Sequence, residues 1–444
     1  MITIQIIKNN NLIKSVKCGW LLALTLFHPD VSAQFKNVKI DEVSFHSQLT
    51  QPTVVILTRD GQQLAATGFD DMFYSSKDKG ATWEKSKLES SVSSQEHVLV
   101  SDPKGTLYLI QTIVKGKDGM RQVVCMISKD GGKVWEAPVE VGKNDTKDQC
   151  YPAATLDTKG NLIVTWSQLD KYGDADSTCQ SLIYLSSSST GKKWSKPIQL
   201  AQTPGDCLND KQTAVGSGAA VGPDGKMFVS WYGQEKMHMD RSFGNGMWLE
   251  NDILIANQPL GWKTKVPGHV LVTGLPRMMI DQSKGTYHGC LYLTWGDQRN
   301  GEKDSDVWFM RSNNHGDYWS TPLRLGAAVA GKHQYAPTMT MDQSNGFIYV
   351  LFYDRGAYDD NQTDVTLAYS SDSGANFKAV KVNESAFVPD DQSNAGSYLA
   401  ISAHNGIIVP VWSSIDNGVT SLWTTTITQD ELIKPADMKG KKKK

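Results

Sequence analysis

"SKDKGATWE", Ser76 to Glu84, returns as "SKDGGKVWE" at Ser128 to Glu136. The shared pattern is Ser-x-Asp-x-Gly-x-x-Trp, carried by Ser76, Asp78, Gly80 and Trp83, then by Ser128, Asp130, Gly132 and Trp135. Four altered copies follow. Ser187 to Trp194 has Ser189 for the Asp and keeps Gly191. Ser242 to Trp248 is one residue short, with Gly244 at that place. Ser312 to Trp319 has Asn314 and keeps Gly316. Ser370 to Phe377 keeps Asp372 and Gly374 and ends in Phe. The serines lie 52, 59, 55, 70 and 58 residues apart, and near-regular recurrence at that period marks a repeat architecture.

Each copy has the same surroundings. Around the third, "YPAATLDTKGN" reads as an alternating strand and a turn, "LIVTWSQ" and "SLIYLSS" as two more strands, and "WSKPIQL" as a fourth beyond the motif. Four antiparallel strands per unit, repeated, describe the blades of a β-propeller, so the expected class is all-β. The motif bridges strands three and four: the Asp accepts turn N–H groups, the Gly takes positive φ, and the aromatic side chain is buried between neighbouring sheets. After Phe377, "SYLAISAHNG", "IIVPVWSS" and "VTSLWTTTI" supply three strands without a motif, and "NVKIDEVSFH" near the start supplies a fourth. The count is then seven blades, or six if this material only caps the ring.

Composition narrows the class further. The 444 residues carry a net charge of −2, which gives no electrostatic case for nucleic acid. Lys8, Lys14 and Lys17 precede the apolar run Cys18 to Phe27, and "VSA" ends at Ala33, the pattern of a secretory signal peptide over 1–33. That run is too short for a membrane span, and no other stretch is long enough for one. The expected layout is signal peptide, propeller over 34–434, and a solvated lysine-rich tail over 435–444, in a protein exported to the periplasm or the exterior. Five cysteines then remain, an odd number. Cys150, Cys179 and Cys207 map near one another, so a disulfide between two of them is expected, against the alternative of three separate buried thiols.

These recurring motifs resemble the Asp boxes, or BNR repeats, of the sialidase (neuraminidase) superfamily, across nearly all of the chain beyond the signal peptide. "LYLTWGDQRNGEKDSDVWFMRSNNHGDYW" and "GKHQYAPTMTMDQSNGFIYVLFYDRGAYDDNQTDVTLAYSSDSG" are similar to a group of exported bacterial sialidase-like propellers. The resemblance implies a sialidase-like propeller with its ligand on the face opposite the boxes. A sialidase of this superfamily clamps a carboxylate with three arginines and attacks with a Glu-activated Tyr. Its first arginine sits in an Arg-Ile-Pro motif, whereas the corresponding strand here reads "QPTVVILTRDG", with its one arginine, Arg59, at the bottom turn.

Propeller topology sorts residues by face. The motif turns and the strand one-to-two turns share the lower rim; the strand two-to-three loops and the starts of the inner strands share the upper one. His404, in a lower turn, is therefore set aside. Two upper loops match: Asp297, Gln298, Arg299 and Asn300 with Asp306, and Asp354 and Arg355 with Asp364. They read first as salt-bridged hairpins, second as a ligand-facing patch. As a third reading they offer calcium hard oxygen ligands, though without a calcium-loop signature; otherwise no cofactor is expected. The aligned segments "DQCYP", "GLPR" and "HQYAP" bring Arg277, His333 and Tyr335 toward the axis. With Arg121, Arg299, Arg355 and Tyr398, they complete the candidate set for a ligand or for catalysis. Two functions stay open: binding of a glycan, glycoconjugate or protein ligand without the full sialidase set, or hydrolysis by an exo-acting glycosidase.

Overall fold

The computed structural model describes residues 35–44, 49–69, 71–88, 94–116, 119–243, 246–326, 329–391 and 396–433. The expected signal peptide and lysine-rich tail lie outside them. Apart from one short helix, Gln429–Ile433, the described elements are strands.

The strands form seven antiparallel sheets in a ring, each begun by an innermost strand. Blade 1 is Leu49–Ile56, Leu64–Phe69, Met72–Ser76 and Glu84–Lys87. Blade 2 is Ser94–Ser101, Leu107–Lys115, Met120–Ser128 and Val139–Glu140. Blade 3 is Asp148–Leu156, Leu162–Leu169, Ser181–Ser188 and Ile198–Gln199. Blade 4 is Val215–Val221, Met227–Gly233, Lys236–Arg241 and Ile253–Asn257. Blade 5 is Arg277–Ile280, Leu291–Asp297, Asp306–Ser312 and Leu323–Leu325. Blade 6 is Gln334–Asp342, Phe347–Asp354, Asp364–Ser370 and Lys378–Lys381. Blade 7 takes Leu399–His404, Ile407–Asp416 and Val419–Thr424 from the end of the chain. Its outer strand, Val38–Ser44, comes from the beginning and pairs antiparallel with Val419–Thr424. The seven-blade alternative holds, and the N-terminal strand closes the ring.

The recurring turn works as a latch between blades. In blade 1, Ser76 Oγ lies 2.8 Å from Asp78 Oδ1 and accepts Gly80 N–H at 2.9 Å, while the Asp accepts Thr82 N–H at 2.9 Å. Trp83 Nε1 closes the turn on Gly80 O at 3.1 Å. Blade 2 repeats every bond, with Val134 N–H on Asp130. Blade 5 repeats the serine and acid-position bonds with Asn314, and blade 6 with Asp372, both without the indole bond. The terminal aromatic then packs on the blade before its own. Trp135 meets Phe73 of blade 1 edge-on at 5.3 Å, and Phe377 meets Phe309 of blade 5 at 4.9 Å. Trp83, Trp194, Trp248 and Trp319 join the apolar clusters of blades 7, 2, 3 and 4 in the same way. Each such side chain stabilises a seam by about 2 kcal/mol through buried area.

Two copies differ from expectation. In blade 3 the latch serine is Ser188, not Ser187: it ends the strand and accepts Gly191 N–H at 2.9 Å from three residues away. The copy without an Asp is satisfied by a tighter turn. In blade 4, Ser242 Oγ accepts Met227 N–H instead, and the turn closes through Phe243 N–H on Met247 O. Gly244 lies outside the described residues.

The latch glycines explain why no other residue serves. A Cβ on Gly132 would lie 2.0 Å from the Phe73 ring, and φ there is +90°. Gly105 also has positive φ, +85°, but meets nothing within 4 Å. We expect Gly105→Ala to lower stability by about 1 kcal/mol, the backbone cost alone. Gly132→Ala should lower it by about 3 kcal/mol or more, because the blade 1–2 seam has to part. Urea midpoints of the two variants check this. Equal losses would contradict the latch.

Candidate functional site

The upper end of the ring is shaped by bulges. The register slips between Leu49 and Thr53, Ser94 and His97, Cys150 and Ala153, Val215 and Gly218, and Tyr335 and Thr338. A bulge inserts an extra residue and re-aims it. Counting back from the register pairs, the same position is held by Glu96, Tyr151, Gly216, Ala336 and Tyr398 in blades 2, 3, 4, 6 and 7. Tyr151, Gly216 and Ala336 there take φ of 53°, 69° and 52°. For a tyrosine that conformation is strained, and such strain gathers at ligand sites.

Around these residues a polar cluster assembles. Glu96 Oε2 accepts Thr112 Oγ1–H at 2.6 Å and Tyr151 N–H at 2.8 Å. Tyr151 donates its hydroxyl to Asn209 Oδ1 at 2.7 Å, and Asn209 Nδ2 donates to Tyr172 Oη at 2.5 Å. Arg121 stacks over the Tyr172 ring at 3.7 Å. Arg121 N–H and Tyr172 N–H both end on the buried Asp148, each at 2.7 Å. Burial pushes the Glu96 carboxyl up, against the opposing pull of its hydrogen bonds and of Arg121. Burial also raises the Tyr398 phenol to about 12, with the Glu96 charge adding to it. Glu96 is thus a carboxyl poised to hold a proton, and the phenols remain hydrogen-bond donors. Of the cluster, the sequence candidates had included Arg121 and Tyr398 but not Glu96. Aligning "QEHV" with "CYPA" on the bulge would have found it.

One position below the bulges, the inner strands carry Thr53, Val98, Ala153, Gly218, Arg277, Thr338 and Ala400. Six are small; one is a long cation. The Arg277 side chain is half-buried, makes no hydrogen bond, ion pair or ring contact among the described residues, and burial lowers its guanidinium with no charge to offset it. An uncompensated guanidinium away from water is costly to keep.

The other sequence candidates are engaged mostly within their own blades. Arg299 grips Asp297, Nη2 to Oδ2 at 2.5 Å, and stacks on Trp308 at 4.5 Å, while Trp295 Nε1–H also ends on Asp297. Asp306 pairs with Arg324 and Asn300. Asp354 accepts from Gln334 and Gly356, and Asp364 from Tyr358 and Lys381. The alignment of these loops holds, since Asp297 faces Asp306 and Asp354 faces Asp364 across their strands. Arg355 is buried on Thr363 and Asn361 and leaves Nη2 without a partner. Tyr335 is wholly enclosed. His333 is buried, and burial followed by the Arg355 charge lowers it to about 4. Among the described residues, no three His, Cys, Asp or Glu side chains gather as a metal group.

Two devices hold this face in place. A disulfide joins Cys179 to Cys207, tying the loop that carries Tyr172 to the crossing that carries Asn209; Cys150 stays a free, buried thiol. Between blades 4 and 5, a two-stranded ribbon, Lys263–Thr264 with Val272–Thr273, lies over the upper rim. Its Trp262 is buried against Tyr151 and Tyr232, and its His269 bonds Tyr335 Oη at 2.8 Å and Ser397 Oγ at 3.2 Å.

No family model and no curated protein matches the chain in sequence. Solved structures do match in fold. The α-L-arabinofuranosidase of Fusarium graminearum, in complex with arabinobiose, is 13% identical with a TM-score of 0.50, over 89% of this chain and 98% of that one. An α-L-arabinanase of Penicillium chrysogenum is 17% identical with a TM-score of 0.46, over 75% and 98%. The NanB sialidase of Streptococcus pneumoniae is 12% identical with a TM-score of 0.44, over 89% and 70%. What the likeness to the arabinofuranosidase shows is the fold, here a seven-bladed β-propeller.

His269 supplies a check on the closed ribbon. Burial first, then Arg355 and His333, lower it to about 3 from 6.5, so the folded protein keeps it neutral while the unfolded chain protonates it. Its contribution to stability is therefore present above about pH 6.5 and is lost as pH falls toward 3. At pH 5, His269→Gln should reduce the proton uptake on unfolding by about one relative to wild type, read from the slope of stability against pH. An unchanged slope would mean that His269 is solvated.

Proposed function

We propose that the upper face binds a glycan carrying a carboxylate, and binds it without hydrolysis, in a protein exported through its signal peptide. The observation that carries this is Arg277, a half-buried guanidinium with no side-chain partner among the described residues, set in a ring of small side chains. A carboxylate is the group that would compensate it, by a charge-assisted and preferably bidentate pair. On the same upper face, Tyr151, Tyr172, Tyr398 and Asn209 supply aromatic groups and hydroxyl or amide partners of the kind sugar rings use. Hydrolysis by a three-arginine, tyrosine-nucleophile route has less support. Arg299 and Arg355 are engaged elsewhere, and the Tyr398 phenol is raised rather than activated.

A second reading rests on Glu96, whose raised carboxyl suits a general acid. The two separate in one experiment. Calorimetric titration with glucuronic-acid- and sialic-acid-terminated oligosaccharides should show binding that Arg277→Gln weakens by about tenfold to a hundredfold. Fluorogenic sialosides and arabinofuranosides should not turn over. Turnover abolished by Glu96→Gln would establish the hydrolase instead. Absence of both binding and turnover would move the ligand to the protein class.

A further inference from the structure

The seam between blades 6 and 7 is closed differently from the others. Around the ring, the aromatic residue that ends each recurring turn packs on the blade before its own. Blade 7 carries no such turn, because its outer strand comes from the start of the chain. At the lower end the last segment of the chain takes the place of that wedge. Ile427–Thr428 pairs with Ile408 and Ile407, Leu432 is buried in the cluster shared by blades 6 and 7, and Tyr369 Oη–H of blade 6 donates to Leu432 O at 2.7 Å. The upper half of the seam is left open as a cleft of about 590 Å³.

Two indoles form the floor of this cleft. Trp412 and Trp423 stand directly opposite each other across their strands and so share the face turned toward blade 6; Trp412 is buried and Trp423 half-buried. One wall is the crossing out of blade 6, which contributes Glu384 and Phe387. That crossing is clasped to the N-terminal strand: Glu384 Oε1 accepts Asn37 N–H at 2.9 Å, and Asn37 Oδ1 accepts Glu384 N–H at 2.7 Å. The turn from Asp416 to Gly418 forms the upper rim. Three carboxylates line the cleft, Glu384, Asp390 and Asp416, and among the described residues no Lys, Arg or His does. Lys39, at the edge, faces Trp423 across the strand pair with its Nζ 5.2 Å from the ring centre, and is paired with Glu42. The Trp423 ring is thus one on which an ammonium already rests.

We propose that this cleft binds an organic cation of the quaternary-ammonium class, seated on the indole floor with Glu384, Asp390 and Asp416 offsetting its charge. An indole face attracts a cation through its quadrupole, and the attraction grows when both are withdrawn from water. A primary ammonium, compact and strongly hydrated, resists that withdrawal; a methylated one presents an apolar shell that the indoles and Phe387 can cover. The negative lining repels the carboxylate-bearing glycan proposed for the axis, so the two sites take ligands of opposite sign. The volume is that of an ordinary small-ligand pocket and leaves room for the group that carries the ammonium.

The test is calorimetric titration of the chain from Gln34 at pH 7.5, with choline chloride as the probe and 3,3-dimethylbutanol as its uncharged isostere. Choline should bind with a stoichiometry of one and a Kd of about 1 mM, and the isostere about tenfold more weakly or worse. Trp423→Leu, at a half-buried site that keeps its apolar contact, should weaken choline about tenfold. Asp416→Asn, at an exposed turn position, should weaken it about threefold and leave the thermal midpoint where it is. Glucuronic acid should not displace choline. Four results overturn the proposal: no heat with choline up to about 50 mM, equal affinity for the isostere, wild-type affinity in Trp423→Leu, or methyl glucoside bound in place of choline, which would make the cleft a neutral-sugar site.

Discussion

The structure depends on steric contact at the seams. The turn that ends strand three of one blade is pressed against the blade before it, so closely that a Cβ on Gly132, Gly316 or Gly374 would stand about 2 Å from Phe73, Met239 or Phe309. Close packing of this kind fixes the angle between blades, because interiors at crystal-like density leave no slack. The serine and acidic residue hold the turn in shape; the aromatic residue fills the wedge beside it. Repeated around the ring, the contact leaves the last sheet short of a strand, and the chain's own beginning supplies it. Sequence separation makes that pairing the least local of the fold.

A ring so constrained has two unlike ends. The lower end is turn and latch. At the upper end, bulges break the regular pairing and bring Glu96, Tyr151 and Tyr398 together from blades far apart in sequence. The disulfide and the ribbon carrying Trp262 and His269 add rigidity there. Most ionic groups of the upper loops are satisfied within a single blade, which is how a folded chain normally treats buried charge. Arg277 and Arg355 depart from that rule, since neither guanidinium pairs with a carboxylate among the described residues. Where a fold tolerates an unmatched charge, the missing partner is a ligand or a proton.

Much of this was legible in the residues. The spacing of the six motifs contains the blades, and the motif-free strands at the two ends contain the closure. Alternation along the strands separates the faces. The paired Asp297/Asp306 and Asp354/Asp364 were recognisable because aromatic residues mark equal positions in adjacent blades. What was not legible has local causes. Ser188 replaced Ser187 because a turn without its acidic residue tightens by one position. Glu96 was hidden because a bulge shifts register, and register is invisible without the partner strand. The choice of Cys179 with Cys207, leaving Cys150 free, depends on loop paths that no spacing encodes.

The most direct test is a crystal structure of the chain from Gln34 soaked with glucuronic acid or N-acetylneuraminic acid. The sugar carboxylate should lie within hydrogen-bond distance of the Arg277 guanidinium, with the ring beside Tyr151 or Tyr398. Sugar bound only elsewhere, or Arg277 paired with a carboxylate of the protein itself, would contradict the account.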